Sequence, residues 1–236
     1  MRTLGLLGGM SWESSSLYYI NTNRLVREKL GGTHSCQLIM HSFDFAEIER
    51  LQVAGDWTLL AEMLAKAANG LRNAGAEAIV LCTNTMHKVA DEIEQAAEVP
   101  VLQIADITGR KIVNQGLRRV GLLATRYTME QDFYRQRLEG RYALDVITPV
   151  QADRDIVHNI IYEELVKGIV RRESKQAYRR IVRSLIDQGA DCIILGCTEI
   201  TMLIGQEDCA VPVFDTTALH CEGAVEWALA GGEKNH

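Results

Sequence analysis

Eight short apolar runs punctuate the chain: Thr3 to Leu7, Cys36 to His41, Ala78 to Leu81, Val101 to Ile104, Val120 to Leu123, Leu144 to Thr148, Cys192 to Leu195 and Val211 to Phe214. Each is continuous rather than alternating, the pattern of a strand buried on both faces, and longer helical stretches separate them. Strands that alternate with helices predict the α/β class with mostly parallel sheets. Between the runs, Trp57 to Ala74 and Lys175 to Gln188 read as helices. Each is stopped by a glycine, Gly75 or Gly189, where a left-handed C-cap is expected.

The pattern also repeats. The segment from Gly75 to Thr85 lies over Gly189 to Glu199 without a gap, at an offset of 114 residues. Gly5-Leu6-Leu7 falls on Gly121-Leu122-Leu123 at 116, and Val99-Pro100-Val101 on Val211-Pro212-Val213 at 112. Matches in the same order at nearly one offset mark an internal repeat. They predict two similar α/β halves, residues 1–115 and 116–236, broken near Asn114 to Arg118. A pseudo-two-fold relation follows, with an active site expected between the halves.

Composition narrows the function classes. Hydrophobic residues make up 47% and charged residues 24% of the 236, values of a folded globular chain rather than a disordered one. A net charge of -6 argues against a surface that tracks phosphate backbones, so nucleic acid is not an expected partner. The apolar opening from Leu4 to Met10 is broken by Gly5, Gly8 and Gly9, too short for an export signal, and no run approaches a membrane span. Six cysteines without an export signal predict free thiols and a cytoplasmic location. There is no Cys-x-x-Cys and no His pair at i, i+4, so no metal is expected.

In parallel α/β units, ligands sit at the carboxyl ends of strands, where the following turn presents free backbone N–H groups. Thr83-Asn84-Thr85 and Cys197-Thr198-Glu199 occupy that place in the two halves. If the halves face each other, Thr83 and Cys197 approach one small ligand from opposite sides. Proton exchange at a stereocentre requires such a pair, because a proton leaves one face of a carbon and another arrives on the opposite face. A cysteine suits the task, since its thiol can be tuned toward thiolate without a metal, and backbone donors stabilise the developing carbanion.

Simpler readings cover the rest. Gly5-Leu6-Leu7-Gly8-Gly9 has neither Gly-x-Gly-x-x-Gly spacing nor a following Gly-Lys-Ser/Thr, and close backbone approach to a small carboxylate fits it better. Cys36, Cys192, Cys209 and Cys221 read as small core residues, and Cys82 as either core packing or a neighbour that tunes the site. His87 reads as structural, and the charges from Arg171 to Arg183 as a solvated helix face.

Cys82-Thr83-Asn84-Thr85-Met86-His87 and Leu195-Gly196-Cys197-Thr198-Glu199-Ile200 resemble the two signature motifs of the aspartate/glutamate racemase superfamily. Gly5-Leu6-Leu7-Gly8-Gly9-Met10 resembles its first strand and loop, and the likeness covers essentially the whole chain. The resemblance implies an amino-acid racemase that needs no pyridoxal phosphate or other cofactor, acts on a small amino acid and forms a homodimer. It also implies that the segment from about Leu219 packs back on the first half. Cys197 matches the second catalytic cysteine. Thr83 stands where the first usually is, and Cys82, one residue earlier, belongs to the opposite face of a strand.

A hydroxyl is a far weaker acid than a thiol, so an asymmetric catalytic pair of Thr83 and Cys197 is expected. Gly9, Met10, Gln52, Asn84, Thr85, Thr198 and Glu199 are the expected substrate-binding residues. Two departures bear on the substrate. The Pro-Asp-Arg segment frequent in aspartate racemases is replaced within Ser42 to Gln52, and Val166 stands where a lysine often precedes the counterpart of Gly168. Arg50 and Lys167 are the candidates left for a side-chain carboxylate. Three enzyme activities therefore stay open: a racemase favouring aspartate or glutamate, a broader racemase accepting homoserine-like side chains, and a single-cysteine decarboxylase of arylmalonate type. A non-catalytic carboxylate-binding protein is the remaining class.

Overall fold

Strand β1 (Leu4–Gly8) is buried along its whole length and lies between two parallel neighbours, β2 (Leu38–Ser42) and β3 (Ala78–Leu81). Helices cover both faces of this sheet, which is why its strands are continuously apolar. One face, with Leu7, Ile79 and Leu81, packs against α2 (Phe45–Ala54), α3 (Trp57–Asn73) and α4 (Ala90–Ala97). The other, with Leu4, Leu6, Ala78, Val80 and Cys82, packs against α1 (Trp12–Leu30) and α10 (Thr216–Ala230). The computed structural model describes residues 1–231.

A second parallel sheet has the order β5 (Asp145–Ile147), β4 (Arg119–Ala124), β6 (Cys192–Gly196), β7 (Val213–Asp215). Its core also takes in residues of α5 (Ile104–Asn114), α6 (Arg126–Glu130), α7 (Asp132–Tyr142), α8 (Gln151–Glu163) and α9 (Arg172–Asp187). The chain divides into two compact units, Met1–Gln103 joined by the chain from His220, and Ile104–Leu219. The division precedes α5, whose Ile104, Ala105 and Ile112 belong to the second core, and Asn114 to Arg118 is the turn between α5 and β4. No helix among the described residues is long and apolar enough to cross a membrane.

The internal repeat survives at the level of register. Gly5 pairs with Ile79 and Gly121 with Ile193, and those isoleucines pair in turn with Val101 and Val213. Glu77 N–H donates to the Thr3 carbonyl as Asp191 N–H does to that of Arg119. The Glu77 carboxylate accepts from Thr3 N–H as that of Asp191 accepts from Arg119 N–H. Gly75 and Gly189 stop α3 and α9 with φ of 107° and 92°, conformations glycine adopts without strain. One expected strand differs. Val101 makes a single bridge to Ile79 at the outer edge, and Ile104 already opens α5, so the run from Val101 to Ile104 never becomes a ladder.

Candidate active site

In the first unit the site is built on the turns that leave adjacent strands. Leu7 pairs with Leu81, so the Gly8-Gly9-Met10 turn after β1 and the Cys82-Thr83-Asn84-Thr85 turn after β3 emerge side by side. Gly9 has φ of 80°, and a Cβ there would run into the backbone of Phe43. Only glycine lets this turn lie against the end of β2, whose continuation ties back through Phe43 N–H to the Gly8 carbonyl. The Ser11 side chain accepts from Ser14 N–H and caps α1, and Gly9 N–H donates to Ser15 Oγ at 2.7 Å. The turn is thereby fixed to the positive end of a helix.

Thr83 is partly exposed, whereas Asn84 and Thr85 are buried. His87, in the short 3₁₀ turn Thr85–Val89, donates from Nδ1 to the Thr83 carbonyl at 2.9 Å. Met10 lies in the core on the α2 and α3 side, and Gln52, buried on α2, donates to Met86 Sδ at 3.3 Å. Gln52 is thus joined to the turn carrying Asn84 and Thr85. Cys82 faces the other way: it is fully buried with Cys221 among residues of α1 and α10, and burial, then Cys221, pushes its thiol pKa well up. It packs the core behind the site. Arg50 is exposed on α2.

In the second unit Cys197 follows β6, and Ala124 pairs with Gly196, so Thr125 leaves β4 beside it. Cys197 is nearly buried, at 9% exposure, and its thiol donates to Glu199 Oε2 at 2.9 Å. Burial first, and then the Glu199 charge, hold the thiol well above its usual pKa. Glu199 is itself 5% exposed, an acid within reach of a thiol in a low-dielectric pocket. Thr198 Oγ1 lies 2.8 Å from Thr217 Oγ1, and Thr216 donates to the Leu195 carbonyl at 2.9 Å, so the first turn of α10 clamps the Cys197 turn from behind.

Sequence reasoning missed several members of this constellation. Thr125 and Thr128, whose hydroxyls lie 3.3 Å apart, follow β4 as Gly9 follows β1, and the 116-residue offset would have found Thr125. Tyr178, fully buried on α9, is close enough to feel Cys197, Glu164 and Glu199, and burial above all raises its hydroxyl pKa. No local pattern announces it. Lys167 is exposed and paired with Glu163 at 2.9 Å, a surface contact. Among the described residues, no group of three His, Cys, Asp or Glu side chains is placed to hold a metal ion.

A family model described as Asp/Glu/hydantoin racemase matches residues 7–224. The crystal structure of a candidate Asp/Glu racemase from Yersinia pestis is 55% identical, covers 97% of this chain and 100% of its own, and superposes with a TM-score of 0.91. That of an aspartate racemase homologue from Pyrococcus horikoshii is 34% identical over 97% of this chain and 100% of its own, with a TM-score of 0.83. A broad specificity amino-acid racemase of Bacillus subtilis is 25% identical over 68% of each chain.

Proposed function

We propose that this chain, which belongs to the Asp/Glu/hydantoin racemase family, is an amino-acid racemase that exchanges the α-proton without pyridoxal phosphate and favours aspartate or glutamate. The observation that carries the reading is the Cys197 thiol at a strand end, 2.9 Å from a buried Glu199. Glu199 takes the thiol proton, and the resulting thiolate takes the α-proton from one face of the substrate. Backbone N–H groups of the Thr83–Thr85 and Cys197–Glu199 turns hold the substrate carboxylate and spread the carbanion's charge. Thr83 gives its hydroxyl proton to the opposite face and is left as an alkoxide. Before the next turnover in that direction, Glu199 must give up the proton it took and the Thr83 alkoxide must regain one.

The pair is chemically unequal, yet the equilibrium between enantiomers in water is unity. That fixes kcat/KM as equal in the two directions. The inequality of Thr83 and Cys197 therefore falls on kcat and KM separately, with unequal rates at saturation. Free cysteines throughout the chain and the family resemblance support a cytoplasmic homodimer.

Two further activities draw on particular observations. The Bacillus subtilis relative is named for broad specificity, and Arg50 and Lys167 are both at the surface, which favours a racemase less strict about a side-chain carboxylate. Burial of Cys82 on the far face leaves one thiol at a strand end, the arrangement an arylmalonate-type decarboxylase needs to protonate its enolate.

The test is deuterium exchange at the α-carbon, followed by NMR in heavy water without added cofactor, for both enantiomers of aspartate, glutamate and homoserine. Exchange with inversion that disappears in Cys197→Ala and weakens in Thr83→Ala is the expected result. Absence of exchange from all six, with turnover of an arylmalonate, would replace racemisation by decarboxylation.

A further inference from the structure

The division between the two units falls inside α10, after Leu219. The first turn of that helix belongs with Cys197, through the contacts of Thr216 with Leu195 and of Thr217 with Thr198. Three residues beyond Thr217, His220 belongs with Thr83. Its ring is fully buried and lies 5.5 Å, centroid to centroid, from that of His87, which holds the Thr83 carbonyl. Behind it, His220 Nε2 is 2.7 Å from the Leu102 carbonyl and Nδ1 is 2.8 Å from the Tyr18 hydroxyl. A carbonyl only accepts, so Nε2 carries the proton and Nδ1 accepts from Tyr18. Burial, with His87 nearby, brings the imidazole pKa down to about 3, so the ring is neutral and its tautomer set.

We propose that α10 positions the two reacting groups through separate contacts: Thr217 holds the turn after Cys197, while His220, seated on Tyr18 and Leu102, holds His87 and through it Thr83. The proposal rests on the racemase reading and makes Thr217 and His220 positioning residues. Substitutions three residues apart on one helix then damage different half-reactions.

A β-chloro amino acid separates the halves. A base removes the α-proton, the freed electron pair forms the Cα=Cβ bond, chloride leaves, and water hydrolyses the resulting enamine to an oxo acid and ammonia. No proton donor on the opposite face takes part, so elimination needs only one of the two groups, whereas racemisation needs both. Each enantiomer of 3-chloroalanine and 3-chloroaspartate is offered to the full-length enzyme. The enantiomer whose elimination disappears in Cys197→Ala reports on Cys197 alone.

Misplacing a reacting group by about 1 Å can cost about 10²-fold, so His220→Phe is expected to slow racemisation about tenfold or more and Cys197-dependent elimination by a clearly smaller factor, the latter only through the carboxylate contacts of the Thr83–Thr85 turn. Thr217→Val is expected to slow both. Tyr18→Phe removes one hydroxyl from the same chain and, should His220→Phe fail to fold, gives the same pattern more weakly. Equal losses in both assays from the His220 and Tyr18 variants, or racemisation left at the wild-type rate, overturn the proposal. A wild-type protein with neither activity overturns the racemase reading beneath it.

Discussion

Replacing Gly5 and Gly121 by alanine, one at a time, asks how far the two units are alike where the backbone packs closest. Both glycines sit at matching places in the central strand of their sheets, and neither has room for a methyl group. What blocks the space differs. A Cβ at Gly5 would lie 2.8 Å from Ala76 Cβ and 3.3 Å from the Ala78 carbonyl oxygen, both placed by the backbone. At Gly121 the nearest atoms are Ile193 Cδ1 at 2.8 Å and Leu185 Cδ1 at 3.1 Å, ends of side chains that can rotate, with Leu185 Cβ at 3.2 Å.

Overpacking costs about 1–3 kcal/mol, and removing a glycine from the unfolded chain returns about 0.4–1 kcal/mol. With the upper figure for Gly5 and the lower for Gly121, Gly5→Ala loses about 2 kcal/mol net and Gly121→Ala stays within about 0.5 kcal/mol of zero. For a chain of this size, about 2–4 °C per kcal/mol puts the first variant about 4–8 °C below wild type in Tm and the second within about 2 °C. Calorimetry of the three proteins under one buffer measures the difference. Equal losses, or a larger loss at Gly121, would show that rigidity of the neighbouring atoms does not decide the cost.

Glu199→Gln is expected to reduce kcat by about 10²–10⁴-fold, the range of a general base, and to move alkylation of Cys197 by iodoacetamide to lower pH, because a charge that holds the thiol up is gone. Peptide-resolved mass spectrometry over a pH series reads this, and an unmoved alkylation profile would remove Glu199 from the account. Cys82→Ala is expected to cost about 1 kcal/mol in urea unfolding and to keep racemisation near wild type, since that thiol packs the core. A large loss of turnover at unchanged stability would make Cys82 a participant. His220 gives a pH dependence whose sign follows from its depressed pKa. The unfolded ring titrates near 6.5 and the folded one at about 3, so its contribution to stability is whole above 6.5 and is lost as pH falls toward 3. The slope is about 1.4 kcal/mol per pH unit. Stability measured by urea at several pH values in that window should fall less steeply in His220→Phe, and parallel slopes would refute the assignment.

Much of the fold is legible because the repeat is written in backbone requirements. Gly75 and Gly189 are needed where the chain turns at positive φ, Gly5 where β3 and the turn before it crowd the strand, Gly121 where β6 and α9 do, and their spacing sets the register. The two candidate turns are legible for the same reason, standing at strand ends. What stayed hidden depends on distance in sequence. Tyr18 and His220 meet across 202 residues, and Thr198 and Thr217 across 19, with no periodicity to announce either pair. The charges on α9, read as a solvated face, include Lys175 and Arg180 paired with Asp208 and Asp153 at 2.9 and 2.6 Å. Those acids come from elements whose placement only the fold supplies.

The step from Cys82 to Thr83 shows why one residue of displacement matters. A strand sends successive side chains to opposite layers, and Cys82 shares its layer with Ala78 and Val80, under α1 and α10. No rotamer carries its sulfur around the backbone to the strand end, and full burial, with Cys221 beside it, keeps its thiol protonated. In the proposed mechanism a hydroxyl therefore does the work that a second thiol would do in a symmetric pair. The proton on Thr83 is held far more tightly than one on a thiol, so its loss needs the carbanion and the surrounding N–H groups together. The proposed pair requires Thr83 to be held in place, and His87, donating to the Thr83 carbonyl, is the restraint on its turn.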